Sequence, residues 1–160
     1  MTENQNNNSD NRTLDEVLEE VDKNFSEKFE KLRIDTTKAL QYDTDDGLDI
    51  QLIKCHSACM RFNDIHAKEK HFYNRIKSKY DRMYAEMIDV AKQNPLMYRT
   101  SSEIDGFIIR DTRVARAKAI VQNQLEMLEY LQSVMDMLKS KRFDIKTLLE
   151  IRKTEFGKQM

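Results

Sequence analysis

The sequence predicts an all-α fold of long helices, a coiled-coil-like arm joined to a C-terminal helical oligomerisation module. Three observations carry that prediction. Only three glycines and one proline occur in 160 residues, too few for the many tight turns of an all-β chain. Charged residues make up 34% and apolar residues 39%, with a mean hydropathy of −0.76, which suits long solvated helices better than a compact globule. Apolar side chains also recur at alternating three- and four-residue steps over most of the chain, the spacing of a helix stripe. A chain this poor in apolar residues tends to complete its core by self-association.

Residues 1–12 hold no large apolar side chain after Met1 and read as a disordered tail, since nothing repays their ordering entropy. Thr13-Leu14-Asp15-Glu16 is a capping box, in which the hydroxyl and the glutamate satisfy each other's backbone donors. Leu14, Val17, Leu18, Val21, Phe25, Phe29 and Leu32 then form one helix stripe. The segment from Ile34 to Tyr42 reads either as its continuation or as a short irregular connection. Asp43-Thr44-Asp45-Asp46-Gly47 resembles a calcium loop, but its glycine falls one place early and Lys54 occupies the closing glutamate position. Acids opening the next helix are the better reading.

That helix runs from Leu48 to Gln93 and would measure about 69 Å. Its seam steps through Leu48, Leu52, Cys55, Cys59, Phe62, His66, Glu69, Tyr73, Ile76, Tyr80, Met83 and Met87, a coiled-coil register. His66 and Glu69 mark either a local break or a polar layer that fixes register. Asn94-Pro95 stops the helix, because the residue before proline is pushed out of the α region. Within the connection 95–110, Glu103–Arg110 reads as a short strand, a turn of helix, or neither. Asp111 caps a third helix with the stripe Val114, Ala117, Val121, Leu125, Leu128, Leu131, Met135 and Leu138. Lys139-Ser140-Lys141-Arg142 forms its basic end. Phe143, Asp144 and Leu148 then read as a hydrophobic staple opening a short last helix that Gly157 closes. The expected division is a tail at 1–12, a helical arm at 13–94 and an assembly module at 95–160.

Several function classes drop out. No apolar run approaches the roughly 18–20 residues of a membrane span, and no signal-peptide pattern opens the chain. Two cysteines, Cys55 and Cys59, are too few for a disulfide framework, so a cytoplasmic protein is expected. No phosphate-cradling glycine loop, zinc-protease motif or nucleophile triad occurs, which argues against an enzyme. Cys55, His56 and Cys59 supply at most part of a zinc site, and no second ligand cluster completes it. Neither metal nor cofactor is expected.

The charge pattern is more informative. Residues 1–50 hold 14 acids and 6 bases, and residues 51–160 hold 14 acids and 21 bases. This asymmetry marks polyanion binding or head-to-tail subunit contact. Lys68, Lys70, Arg75, Lys77, Lys79 and Arg82 crowd one stretch of the long helix, interleaved with Phe72, Tyr73, Tyr80 and Tyr84. Arg75, Lys79 and Arg82 share a helix face and suit a phosphodiester backbone, while neighbouring aromatics suit unpaired bases. The competing reading is a solvated coiled-coil flank with tyrosines filling the seam. Arg110, Arg113, Arg116 and Lys118 form a second basic patch.

The run Lys139-Ser140-Lys141-Arg142-Phe143-Asp144-Ile145-Lys146, followed by Ile151-Arg152 and Gly157-Lys158, resembles the C-terminus of the UvsY family of phage recombination mediators. Ile34-Asp35-Thr36-Thr37-Lys38 with Leu40-Gln41-Tyr42, and further on Ser102-Glu103 and Asp111, are similar to the same pattern. The resemblance implies a mediator that binds single-stranded DNA and helps a RecA-type, UvsX-like recombinase displace the single-strand-binding protein. It also implies a homo-oligomer, a ring of about six or seven subunits. The family's basic pair reads Lys-x-Arg before an aromatic. Here Lys79 matches the lysine and Tyr84 the aromatic, but Asp81 replaces the arginine, with Arg82 or Lys77 as compensation. Arg142 stands where a glycine is expected before Phe143.

The resulting expectation is a non-enzymatic scaffold. Arg75, Lys77, Lys79, Arg82 and Tyr84 would contact DNA, and Leu138, Phe143, Ile145, Leu148, Leu149 and Phe156 would build the subunit interface. The alternative is a structural coiled-coil adaptor or assembly chaperone without nucleic-acid binding.

Overall fold

A computed structural model describes residues 13–43, 46–93 and 100–157. Four helices follow in order: α1 (Leu14–Leu40), α2 (Leu48–Lys92), α3 (Ser101–Ile109) and α4 (Thr112–Gly157). No strand occurs among the described residues. The expectations for the 1–12 tail and for the Asn94-Pro95 stop lie outside the described residues.

Helix α1 opens on the predicted capping box. The Thr13 hydroxyl accepts from the Glu16 N–H at 3.3 Å, and the Glu16 carboxylate accepts from the Thr13 N–H at 2.7 Å. The ambiguous 34–42 segment resolves as helix as far as Leu40. Thr36 is buried there, its hydroxyl turned back onto the Leu32 carbonyl at 2.8 Å. In the connection to α2, the buried Gln51 side chain donates to the backbone carbonyls of Asp43 and Asp46 at 2.8 and 3.0 Å.

The two longest helices pack antiparallel. The Cys55 thiol meets the Leu138 carbonyl at 3.4 Å, and the Glu69 carboxylate meets Gln124 at 2.7 Å. Helix α1 runs parallel to α4, because Asn123 reaches Asp22 while Lys141 reaches Ala39. Phe62, Leu131, Val134, Leu138 and Ile145 are fully buried, with Cys55, Met127 and Met135 nearly so. Phe25, Phe29 and Leu32 cover this core from α1, and Phe29 meets Tyr130 edge-on at 4.9 Å. Each such side chain contributes about 1.5–3 kcal/mol by leaving water.

Helix α2 is unbroken at His66–Glu69, so the polar layer is the correct alternative. Glu69 accepts from Lys28 of α1 at 2.9 Å and from Gln124 of α4 at 2.7 Å. One carboxylate thereby joins three helices in a single register. Shifting any of them would strand its charge.

In the C-terminal half one open reading is resolved and another is corrected. Glu103–Arg110 lies mainly in a true helix, α3, capped by the reciprocal Thr100–Glu103 pair. The break at Arg142-Phe143-Asp144 does not exist, and α4 continues for 46 residues. Neither glycine nor proline interrupts it between Thr112 and Phe156. The buried positions Leu138, Lys141 and Ile145 also hold helical spacing straight through the proposed boundary. Phe143 is 70% exposed and Leu148 46%, so no staple forms, and Gly157 lies inside the helix. Asp111 caps α4 as expected, accepting from the Arg113 and Val114 N–H groups.

Candidate nucleic-acid interface

The basic cluster of α2 lies on the half that packs beside α3 and the start of α4. At about 100° per residue, Arg75, Lys79 and Arg82 fall within roughly 60° of one another. All three are exposed, and none has a carboxylate partner among the described residues. Lys68 shares this outer face, seven residues before Arg75. From Lys68 to Arg82 the strip extends about 21 Å. The sequence reading omitted Lys68 from the site; the heptad spacing Lys68–Arg75–Arg82 is the signal that finds it.

Lys77 and Tyr84 lie elsewhere. Lys77 projects about 200° round the helix from Arg75 and pairs with Asp81 at 2.8 Å. That carboxylate bond holds the Lys77 ammonium above its usual pKa. Asp81 therefore engages one of the cations of this stretch. Tyr84 is half-buried and donates its hydroxyl to Asp105 of α3 at 2.5 Å. The bond raises the phenol pKa and ties α3 to α2. Tyr80 lies beside it, ring centroids 5.9 Å apart.

Phe72 borders the strip. The Arg75 guanidinium stands 5.5 Å from its ring centroid and the Lys28 ammonium 5.9 Å, both within cation–π range. In the second basic patch, Arg113 is held by Asp111 at 2.9 Å. The Arg113 guanidinium, with backbone N–H donors, keeps the Asp111 carboxyl below its usual pKa.

Of the six residues expected at a subunit interface, the five whose side chains are described separate into two groups. Leu138 and Ile145 are fully buried inside the chain's own core, and Leu149 packs against it. Phe143 and Leu148 remain exposed, together with Ile151 and Met137. The Phe156 side chain lies outside the described residues.

Cys55 is buried and its thiol is pushed up in pKa by desolvation, with Cys59 adding to the effect. Among the described residues no group of three or more His, Cys, Asp or Glu side chains is placed to hold a metal ion. No described helix is long and apolar enough to cross a membrane.

The family model described as "Recombination, repair and ssDNA binding protein UvsY" matches residues 47–158, a span that includes α2, α3 and α4. Two crystal structures of the bacteriophage T4 recombination mediator protein UvsY share the fold. One, lattice type IV, superposes with a TM-score of 0.68 at 18% identity, covering 79% of this chain and 97% of that one. The other, lattice type II, gives 0.65 at 18% identity, covering 80% and 97%. No protein with a curated description matches the sequence.

Proposed function

Because the chain belongs to the UvsY family of recombination, repair and single-stranded-DNA-binding proteins, we propose that it is a recombination mediator whose strand-binding surface is the outer face of α2. The observation that carries this reading is the cationic strip Lys68, Arg75, Lys79 and Arg82 within the matched span, none of which has a carboxylate partner among the described residues. A single strand lying along it releases counterions at each phosphate neutralised. Each contact then contributes about −0.7 to the log–log salt slope.

The mechanism is positional. Several subunits, associated through exposed apolar positions such as Phe143 and Leu148, hold one strand together, so weak contacts add through effective concentration. The strand held in this way is presented to a RecA-type recombinase while single-strand-binding protein leaves. No bond is made or broken by the chain itself.

The test joins two measurements on Arg75→Ala/Lys79→Ala/Arg82→Ala. Its salt slope for an oligothymidine should fall by about 2, the sum of three lost contacts. It should also fail to restore recombinase ATPase activity on DNA coated with single-strand-binding protein. Unchanged binding by a variant of unchanged oligomeric mass would move the site off α2. Intact binding and salt dependence in the parent, without stimulation of the recombinase, would remove the mediator role and leave a strand-binding protein.

A further inference from the structure

Beside the cationic strip, α1, α2 and α4 leave a groove of about 270 Å3 between them. Phe72 forms the α2 wall, Asn24 and Phe25 the α1 wall, and Arg116 and Asn123 the α4 wall. The volume lies just below the ~300–1,000 Å3 typical of sites for drug-sized ligands, a scale suited to one planar heterocycle rather than to a helix or an extended peptide.

Its chemistry is that of a base and the phosphate beside it. Phe72 offers a half-buried aromatic surface that adjoins the strip through Arg75. Arg116 is half-buried and has no carboxylate partner among the described residues, an arrangement that favours an anion. Lys28, also at the groove, is already engaged by Glu69 at 2.9 Å. Asn123 gives its amide N–H to Asp22 at 3.2 Å, which turns its carbonyl oxygen into the available acceptor; Asn24 brings a second amide.

We propose that this groove is a nucleobase subsite: one unstacked base of the bound strand inserts against Phe72, and Arg75 and Arg116 take the flanking phosphates. The subsite deepens the strand-binding reading and rests on it. Continuity with the cationic strip commits it to nucleic acid, because an acidic peptide would satisfy Arg75 and Arg116 but leave the aromatic wall and the amides unused. Stacking on one aromatic ring strengthens binding of a base by roughly five- to a hundredfold. An abasic strand keeps the phosphates and lacks that term.

The full-length protein is titrated with oligothymidine and with an abasic oligomer of equal length, as parent and as Phe72→Leu, which keeps an apolar wall and loses the ring. The parent should prefer the base-bearing strand by roughly five- to a hundredfold per engaged base. Phe72→Leu should lose most of that preference while keeping its salt slope. Ultraviolet cross-linking of the unaltered chain to oligothymidine should tag Phe72 within the tryptic peptide His71–Arg75, a readout that needs no variant to fold. Equal binding of both strands by the parent overturns the subsite and leaves the cationic strip standing. A preference that survives in Phe72→Leu, or cross-links confined to other peptides, also overturns it. Failure of the parent to bind either strand removes the strand-binding reading together with the subsite.

Discussion

Lys141 is nine-tenths buried, and its ammonium donates to the Gln41 carbonyl at 2.6 Å and to the Ala39 carbonyl at 3.1 Å. Those carbonyls close the C-terminus of α1, where backbone acceptors lack helical partners and the dipole favours a cation. A residue of α4 thus finishes a helix one hundred positions earlier in the chain. The Tyr42 ring adds a cation–π contact at 4.8 Å.

Lys141→Met keeps most of the aliphatic bulk and removes the donor. It should cost about 2 kcal/mol, the scale of hydrogen bonds made by a charged group. Urea unfolding measures the loss. Hydrogen exchange should show it concentrated in the last turn of α1 and the start of α2; uniform protection loss along α4 would contradict the capping role.

The Lys77–Asp81 pair makes a prediction opposite in sign to the usual loss-of-function test. Asp81→Asn releases Lys77 and removes a negative charge close to the strip. Single-stranded DNA should bind more tightly at low salt, with the slope steepened by up to about 0.7. Adding Lys77→Ala should take that slope back. If the double variant keeps the full gain, released Lys77 makes no phosphate contact.

Asp111 gives a pH-dependent term. Its carboxyl is held below the usual value by Arg113 and by backbone donors, so the stability it supplies is complete above its unfolded pKa of about 3.9. That stability is lost as pH falls through the lower folded pKa. Asp111→Ala should cost about 1 kcal/mol at pH 7, the scale of an N-cap. Parent and variant melting temperatures should converge as the solution is acidified below pH 4. A constant difference down to pH 2 would mean that the carboxylate's charge is irrelevant to the cap.

Leu148 and Ile145 separate assembly from folding. Ile145→Asp places an unpaired charge in the core and should unfold the chain, since its burial costs several kcal/mol. Leu148→Asp alters an exposed position and should leave helicity intact. In the proposed oligomer it lowers the light-scattering mass and weakens DNA binding through lost avidity. An unchanged mass for Leu148→Asp would exclude this face from the subunit contact.

Local rules made much of the fold legible. The Thr13 box, the Asp111 cap and the helical period of α2 on either side of His66–Glu69 depend on residues within one or two turns of each other, so sequence spacing specifies them directly. The capping box of α3 was equally local, in Thr100-Ser101-Ser102-Glu103, but the sequence reading began that element at Glu103 and left its type open. The false break at Phe143 has a different origin. A basic run followed by a staple pattern imitates a helix end, and the continuation is favoured by Lys141 and Ile145 being buried against other helices.

The sequence by itself determined that the chain is helical, where α1 begins, where α2 runs, and that Arg75, Lys79 and Arg82 share a face. Helical periodicity and capping chemistry are properties of neighbouring residues. Only the tertiary structure decided which side chains keep that face free. It turned Tyr84 toward Asp105, set Leu138 and Ile145 inside the core, spent Glu69 on Lys28 and Gln124, and opened the groove at Phe72. Each of these outcomes depends on a partner from another helix. No spacing rule within one helix carries the position of such a partner, because it is fixed by how three helices settle into register.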